Sequence, residues 1–407
     1  MPKTLSQMMT MKSRSDLTYR YNSKNGRHGW LRLTPAYSVK IVHQILDSMP
    51  NAKNILDPFS GTGTTGLVCA ERGLTCQLLD INPFLIWLAR VKTANYSSEE
   101  LAQASDTIQA IVSKVEQDNR SSLWQPPIYN IDRWWSREIC CLLSQILSAI
   151  RSTNATDSVC NLLLITFCKK LIEWSNAAFN HQSMSFKKEQ AAFIIHRDDL
   201  IAEFVEAFRI VVATSEIPIE GTAIVSDCDS RNISIPITHY DCVITSPPYP
   251  NRMSYIRELR PYMYWLGYLQ EAREAGELDW QAIGGTWGIA TSRVAQWESN
   301  GSKINHPEFD KTIASISKES HVLANYVHKY FVDIQQHLAS LYPYIAIGGK
   351  VFYIVGNSKF YETVVPVEQF YSSILQHVGF GNVTIEAIRK RNSKKELFEY
   401  IVSAEKL

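Results

Sequence analysis

The strongest structural signal in the chain is the stretch NILDPFSGTGTTGLVCAERG, residues 54–73. A short apolar run ends at Asp57, small residues follow as far as Gly63, and an apolar helical pattern continues to Gly73. A second apolar run, TCQLLD, ends at Asp80. Strand, glycine turn, helix and strand in this order predict the opening of a parallel α/β sheet.

The rest of the chain extends this prediction in both directions. Residues 1–96 are predicted to form an N-terminal segment and the first half of the sheet domain. Residues 97–215 show apolar residues at three- and four-residue spacing, which predicts a helical insertion. Residues 216–407 contain further strand-like runs and complete the domain, with an irregular segment rich in Gly, Trp, Ser and Asn at 271–320. The predicted fold class is therefore α/β, with a Rossmann-like sheet and a helical insertion.

Composition narrows the class of protein. The chain has 407 residues, of which 45% are hydrophobic, and a formal net charge of +1, so any nucleic-acid contact depends on local basic patches. No apolar run reaches the length of a membrane span, and the N-terminus lacks an apolar signal region, so we expect a cytoplasmic protein without a membrane partner. The eight cysteines form no CxxC pair, so no metal site is expected.

The glycine turn predicts a site for a cationic ligand. Gly61 and Gly63 lack a Cβ atom, which lets the backbone approach a ligand closely. The turn begins with the carboxylate of Asp57 and contains no lysine, so it would repel a phosphate. The ammonium and sulfonium groups of S-adenosylmethionine suit such a turn better.

Two further acidic residues follow predicted strands. Asp80 comes 23 positions after Asp57, a spacing at which an acidic residue binds the ribose hydroxyls of an adenosine. Asp227, followed by Cys228, is predicted to hold the adenine amino group, although a simple turn aspartate would have the same pattern.

The sequence Thr245-Ser246-Pro247-Pro248-Tyr249 follows the apolar run CVIT. Two prolines prevent regular strand pairing and stiffen the backbone, which would hold the Ser246 hydroxyl and the Pro247 carbonyl as fixed acceptors. Acceptors on the hydrogens of an exocyclic base amine would favour the pyramidal nitrogen that can attack a methyl group. Tyr249 is predicted to supply a ring on which an extruded base stacks.

DPFSGTG and TSPPY resemble the cofactor and catalytic motifs of amino-group DNA methyltransferases. HGWLRLTPAY resembles the segment of that family that lines the methionine end of the cofactor, and GGKVFYIVGNS resembles a later strand of the fold. The resemblance covers roughly residues 28–96, 222–268 and 325–405. It implies catalytic roles for Ser246, Pro247, Pro248 and Tyr249. The cofactor contacts implied by motif and resemblance are Thr34, Pro35, Asp57, Pro58, Phe59, Gly61, Gly63, Asp80, Ile81, Asp227 and Cys228.

The resemblance implies methyl transfer from S-adenosylmethionine to double-stranded DNA by base flipping. SPPY resembles cytosine-N4 enzymes most, whereas DPPY is commoner in adenine-N6 enzymes, so cytosine N4 is the predicted target. Adenine-N6 methylation, guanine amino methylation of RNA, and a non-catalytic nucleic-acid-binding subunit remain alternatives. Carbon-5 methylation of cytosine is excluded, because it needs a cysteine nucleophile, normally in a Pro-Cys dipeptide that this chain lacks.

The setting expected for such an enzyme is a restriction-modification or host-defence system, with a cognate restriction endonuclease acting separately. The family usually places a large recognition region between its third and fourth motifs or after the last motif. Here Asp227 and Ser246 are close together and the part after the last motif is short, so the recognition region must be the helical insertion, the 271–320 segment, or both. Basic residues near the motifs are predicted to contact DNA phosphates, and they are Arg252, Arg257, Arg260, Arg389, Arg391 and Lys394.

Overall fold

The computed structural model describes residues 14–33, 36–118, 124–178, 185–187, 196–236, 239–299, 301–391 and 396–407. Its centre is a seven-stranded sheet. The strands are β1 (Asn54–Asp57), β2 (Thr75–Asp80), β3 (Thr222–Asp227), β4 (Tyr240–Thr245), β5 (Ile345–Gly356), β6 (Gly381–Lys390) and β7 (Phe398–Glu405). Short two-stranded ribbons pair Ala177–Ala178 with Ser185–Phe186 and Ser358–Phe360 with Thr363–Val365.

The strand order is β3-β2-β1-β4-β5-β7-β6. Strands β1 to β5 pair in parallel, whereas β7 runs antiparallel to both β5 and β6. The order reverses between β1 and β4, and ligands of open α/β sheets bind at such a reversal, beyond the carboxyl ends of the strands. The prediction of a Rossmann-like α/β fold is confirmed, and the strand-like runs predicted for residues 216–407 include the two last strands, β6 and β7.

Helices cover both faces of the sheet and follow the apolar patterns of the sequence. The helices outside the insertion and the 271–320 segment are Tyr19–Asn22, Val39–Asp47, Thr64–Glu71, Pro83–Thr93, Tyr255–Leu266, His321–Leu341 and Val367–Val378. Within the described residues, no helix is both long enough and apolar enough to cross a bilayer.

The predicted helical insertion contains helices Ser98–Gln117, Ile131–Trp134, Arg137–Arg151, Asp157–Glu173 and Arg197–Ser215. Their apolar faces form one buried cluster with the helix Tyr255–Leu266, which follows the TSPPY turn. Trp265 of that helix lies with its ring 5.7 Å from both Trp135 and Phe167 of the insertion. The insertion therefore packs directly against the helix that follows the TSPPY turn. The bounds of the insertion at residues 97 and 215 stay a prediction.

The 271–320 segment differs from the irregular structure that the sequence predicts. It contains helices Ala272–Gln281, Ile289–Ala295 and Phe309–Ser317, each at most ten residues long. Such short helices present too few turns for a clear 3.6-residue period, and Gly284, Gly285 and Gly288 interrupt them. Buried Asp279 holds the segment together, because it accepts hydrogen bonds from the Ser254 hydroxyl (2.5 Å) and the Trp287 amide (2.7 Å).

Candidate active site

The carboxyl ends of β1 and β4 are joined by Asp57. The Thr245 hydroxyl donates a hydrogen bond of 2.6 Å to Oδ1 of Asp57, and the Phe59 amide donates one of 3.1 Å to the same oxygen. Tyr37 donates to Oδ2 at 3.5 Å. Burial raises the pKa of the Asp57 carboxyl to about 6, against the hydrogen bonds that lower it.

This position corrects the prediction that Asp57 contacts the cofactor directly. The side chain is completely buried, and its oxygens serve residues of the protein itself. Asp57 instead fixes the position of the glycine turn relative to Thr245, the residue before Ser246. Pro58 is buried beside it, and the ring of Phe59 lies 4.7 Å from that of His337.

The glycine turn and Asp80 are in direct contact. The Gly61 amide donates to Oδ2 of Asp80 at 2.9 Å, and the Asn82 amide donates to Oδ1 at 2.9 Å. Asp80 remains partly exposed, and desolvation raises the pKa of its carboxyl to about 6. Gly63 has a φ of 73°, and a Cβ atom there would lie 3.1 Å from the Cβ of Ala89. A residue larger than glycine would therefore push the turn away from the helix Pro83–Thr93, to which Ala89 belongs.

Sequence reasoning missed Lys92, a buried lysine that holds the glycine turn through a hydrogen bond. Its ammonium donates a hydrogen bond of 2.9 Å to the Thr62 carbonyl, and burial lowers its pKa to about 8. In the sequence Lys92 stands near the end of a helix, where a basic residue is ordinarily solvated. No local pattern identifies it as buried.

Asp227 and Cys228 lie beside Asp80 at the same edge of the sheet. Asp227 stands in register with Asp80, and the Cys228 amide donates to the Asp80 carbonyl at 3.0 Å. The Asp227 side chain is exposed, whereas the nearby Asp229 is paired with Arg231 at 2.7 Å. Ile81, directly after Asp80, is half-buried.

A cleft of about 300 Å³ lies between the glycine turn and the N-terminal segment. Thr62 lines one side, and His28, Gly29 and Leu31 line the other, so the HGWLRL stretch and the turn meet as the resemblance implies. Buried Arg27 fixes this segment by donating to the carbonyls of residues 92, 215 and 217 at 2.9–3.2 Å. The predicted contacts Thr34 and Pro35 lie outside the described residues.

The TSPPY turn presents two acceptors of different kinds. The Ser246 hydroxyl lies 3.3 Å from the Ile354 carbonyl, to which it can donate its hydrogen while its lone pairs stay available. Among the residues that the structure describes, no donor contacts the Pro247 carbonyl, whereas the Pro248 carbonyl accepts from the Tyr330 hydroxyl at 2.8 Å. Pro247 is buried, and its carbonyl keeps both lone pairs free of any described donor, whereas the Pro248 carbonyl is already engaged.

Tyr249 is held by the antiparallel end of the sheet. Its hydroxyl donates to Oε1 of Glu399 at 3.1 Å and lies 3.4 Å from Oγ of Ser246. The ring packs on Gly356, where a Cβ atom would come within 2.9 Å of it, and the Arg391 guanidinium lies 5.6 Å from its centroid. Burial raises the pKa of the Tyr249 phenol well above its ordinary value of 10. Stacking of a base on this ring stays a prediction.

The prediction that Arg389 contacts a phosphate needs correction. Its guanidinium binds both oxygens of Glu399 at 2.6 and 2.9 Å, and Glu399 is only 4% exposed. Sequence reasoning missed Glu399, although an acidic residue inside the apolar strand FEYIVSAE is a usable signal for a buried ion pair. Arg391 donates to the Asn357 carbonyl at 3.0 Å, and Lys394 lies outside the described residues.

The arginines after the turn have different positions. Arg260 lies with its guanidinium 5.3 Å from the ring centroid of Trp134 and 5.4 Å from that of Trp287. These cation–π contacts join the insertion to the 271–320 segment, and the role of Arg260 as a phosphate contact stays a prediction. Arg252 is exposed, and Arg257 lines a second cleft with it.

Comparisons with known proteins agree with this geometry. Residues 39–189 match the family D12 class N6 adenine-specific DNA methyltransferase. Type II methyltransferase M.BsoBI of Geobacillus stearothermophilus is 22% identical over 441 residues, which cover 95% of this chain and 86% of that protein. Type II methyltransferase M.AvaI of Nostoc sp. is 19% identical over 423 residues with the same coverage. No solved structure matches the chain significantly.

The chain therefore resembles amino-group DNA methyltransferases, which confirms the resemblance predicted from DPFSGTG and TSPPY. Methyltransferases of this family use S-adenosylmethionine as the methyl donor, which confirms the predicted cofactor. The description of the matched family favours adenine N6 over the predicted cytosine N4, which no comparison supports.

The buried carboxyl of Asp57 predicts a pH-dependent stability. Because its pKa is raised in the folded state, the stability associated with the neutral form is complete below the unfolded pKa of about 4 and is lost as pH rises through about 6. Asparagine is neutral throughout, so the free energy of unfolding of Asp57→Asn should improve relative to wild type between about pH 5 and about pH 8.

Denaturant unfolding at about pH 5 and about pH 8 measures the difference in the free energy of unfolding between Asp57→Asn and wild type. The control is Asp106→Asn, which changes an exposed residue of the helix Ser98–Gln117. A difference between Asp57→Asn and wild type that stays the same at both pH values would contradict the prediction.

Proposed function

We propose that the chain is a DNA methyltransferase that transfers a methyl group from S-adenosylmethionine to the exocyclic amine of a base. The observation behind the proposal is the hydrogen bond from Thr245 to Asp57, which holds the acceptor turn and the glycine turn at the same end of the sheet. A donor and an acceptor of a methyl group must be held side by side with little freedom to react directly.

Ser246 and Pro247 would hold the target amine. The lone pair of such an amine is delocalised into the base ring, so the nitrogen is a poor nucleophile. Two acceptors on its hydrogens favour the pyramidal nitrogen, and the Ser246 hydroxyl and the Pro247 carbonyl are the acceptors available here. Tyr330 engages the Pro248 carbonyl and Glu399 engages the Tyr249 phenol, so the turn is supported on both sides before a substrate arrives.

The glycine turn and the acidic strand ends fit S-adenosylmethionine. Asp80 is partly exposed and keeps its carboxylate at the turn, which suits two ribose hydroxyls, and exposed Asp227 suits the adenine amino group. Phe59, Ile81 and Cys228 would complete this end of the pocket, and the cleft beside Thr62 would take the methionine end. When bound, the cofactor supplies an electrophilic methyl group on its sulfonium.

Adenine N6 is the target that the family description favours. Cytosine N4 is a second candidate because of Ser246, which stands where adenine-N6 enzymes commonly have an aspartate. The match to the adenine family ends at residue 189, so it does not include the residues that would contact the amine. Relatives named type II methyltransferases support a site-specific role on double-stranded DNA in a restriction-modification setting, with an endonuclease acting separately.

The function is tested by incubating the protein with unmethylated genomic DNA and labelled S-adenosylmethionine, followed by digestion to nucleosides and mass spectrometry. We expect label in N6-methyladenine, or in N4-methylcytosine if Ser246 determines the base. Label in 5-methylcytosine, label only in RNA treated in parallel, or no transfer despite cofactor binding would contradict the proposal.

The cofactor site is tested by Asp80→Ala. Removing the proposed ribose acceptor should weaken S-adenosylmethionine binding by about 1–3 kcal/mol, measured by calorimetry on the folded protein. The exposed Asp106→Ala variant should bind as wild type does. Equal affinities for wild type and Asp80→Ala would mean that the cofactor lies elsewhere.

A further inference from the structure

A second cleft, of about 370 Å³, opens beside the TSPPY turn. Its walls come from four separate parts of the chain. Arg252 lies in the loop between the TSPPY turn and the next helix, and Arg257 lies in the first turn of that helix, Tyr255–Leu266. Trp287 belongs to the 271–320 segment, Tyr326 to the helix His321–Leu341, and Tyr361 to the ribbon after β5. None of these parts contributes to the cleft beside Thr62.

The cleft and the turn share one supporting helix. The Tyr326 hydroxyl accepts a hydrogen bond of 3.3 Å from the Arg252 amide, and Tyr330, one helical turn later, donates to the Pro248 carbonyl. A strand of nucleic acid that delivers a base to Ser246 would therefore pass along this wall.

Tyr361 has an unusual backbone for its residue type. It is the first residue of the two-residue turn in the ribbon Ser358–Phe360 and Thr363–Val365, and its φ is +52°. A positive φ is strained for a bulky residue and is ordinarily left to glycine in such turns. The side chain is nevertheless 49% exposed, so burial in the core does not compensate for the strain. Strained residues of this kind are concentrated at ligand sites.

The charge of the cleft suits a phosphodiester. Arg252 and Arg257 line it against one carboxylate, that of Glu258, and the hydroxyl group of Thr286 adds hydrogen-bonding capacity. Arginine and hydroxyl side chains are common contacts to DNA phosphates, and tyrosine and tryptophan rings stack on unpaired bases without strong sequence preference.

We propose that this cleft binds the DNA strand next to the extruded base, with Tyr361 stacked on a base and Arg252 and Arg257 at the phosphates. The inference rests on the proposed function and names the surface that holds its substrate. The proposal also makes the turn between Ser358–Phe360 and Thr363–Val365 a DNA contact, although the sequence around Tyr361, SKFYETVV, contains no nucleic-acid motif.

The test uses Tyr361→Gly and Tyr361→Phe in the full-length protein, with fluorescence anisotropy on a mixed-sequence duplex and on its single strand. Tyr361→Gly should weaken binding by about 5- to 100-fold, the equivalent of one lost base stack, and Tyr361→Phe should stay near wild type. The unfolding midpoint of Tyr361→Gly should be unchanged or higher, because glycine relieves the strain. Tyr21→Gly, which removes a tyrosine that is 41% exposed and lies outside both the insertion and the 271–320 segment, is the matched control and should bind normally.

The arginines give a second, independent readout. Arg257→Gln should weaken binding to all sequences and reduce the slope of log affinity against log salt by about one. Arg72→Gln changes an exposed arginine outside the insertion and the 271–320 segment, and it should leave the slope unchanged. Wild-type affinity in both Tyr361→Gly and Arg257→Gln would overturn the proposal. Weakened binding in these variants would support the cleft even if wild type transferred no methyl group, an outcome that would contradict only the proposed function.

Discussion

The hydrogen bond between Thr245 and Asp57 is the interaction on which the site depends. It is short at 2.6 Å, both residues are completely buried, and it joins strands that are neighbours in the sheet but 188 residues apart in the sequence. Because the strand order reverses between β1 and β4, this bond lies at the position where an open α/β sheet binds its ligand. One carboxylate thus sets the distance between the proposed cofactor turn and the proposed acceptor turn.

The acceptor turn depends on a second group of contacts from the antiparallel end of the sheet. Arg389 holds both oxygens of Glu399, and Glu399 accepts from the phenol of Tyr249, so strands β6 and β7 position a residue of the turn after β4. On the other side, Tyr330 and Tyr371 share a hydrogen bond of 2.9 Å, and Tyr330 donates to the Pro248 carbonyl. Prolines limit the conformations of the turn, and these contacts select one of them.

The sequence predicts those parts of the site that depend on local pattern. The glycine turn, Asp80, the TSPPY turn and the parallel strands are recognisable because each needs particular residues at short spacing. Lys92, Glu399 and Tyr361 were not predicted, since their roles arise from contacts with distant parts of the chain or from a backbone angle. For the same reason the ion pair of Arg389 was not predicted, because a sequence does not reveal that an arginine has a buried partner. The short helices between 271 and 320 escaped prediction because their apolar periodicity is too brief.

The central claim is that the rigid turn promotes reaction of the amine without contributing to cofactor binding. Single-turnover methylation of DNA that contains the modified site, combined with calorimetry of cofactor binding, tests it in Ser246→Ala. We expect a rate lower by about 30- to 1000-fold, corresponding to about 2–4 kcal/mol of lost transition-state stabilisation, with nearly unchanged cofactor affinity. A near-normal rate in a folded Ser246→Ala, Tyr249→Ala double variant would contradict it.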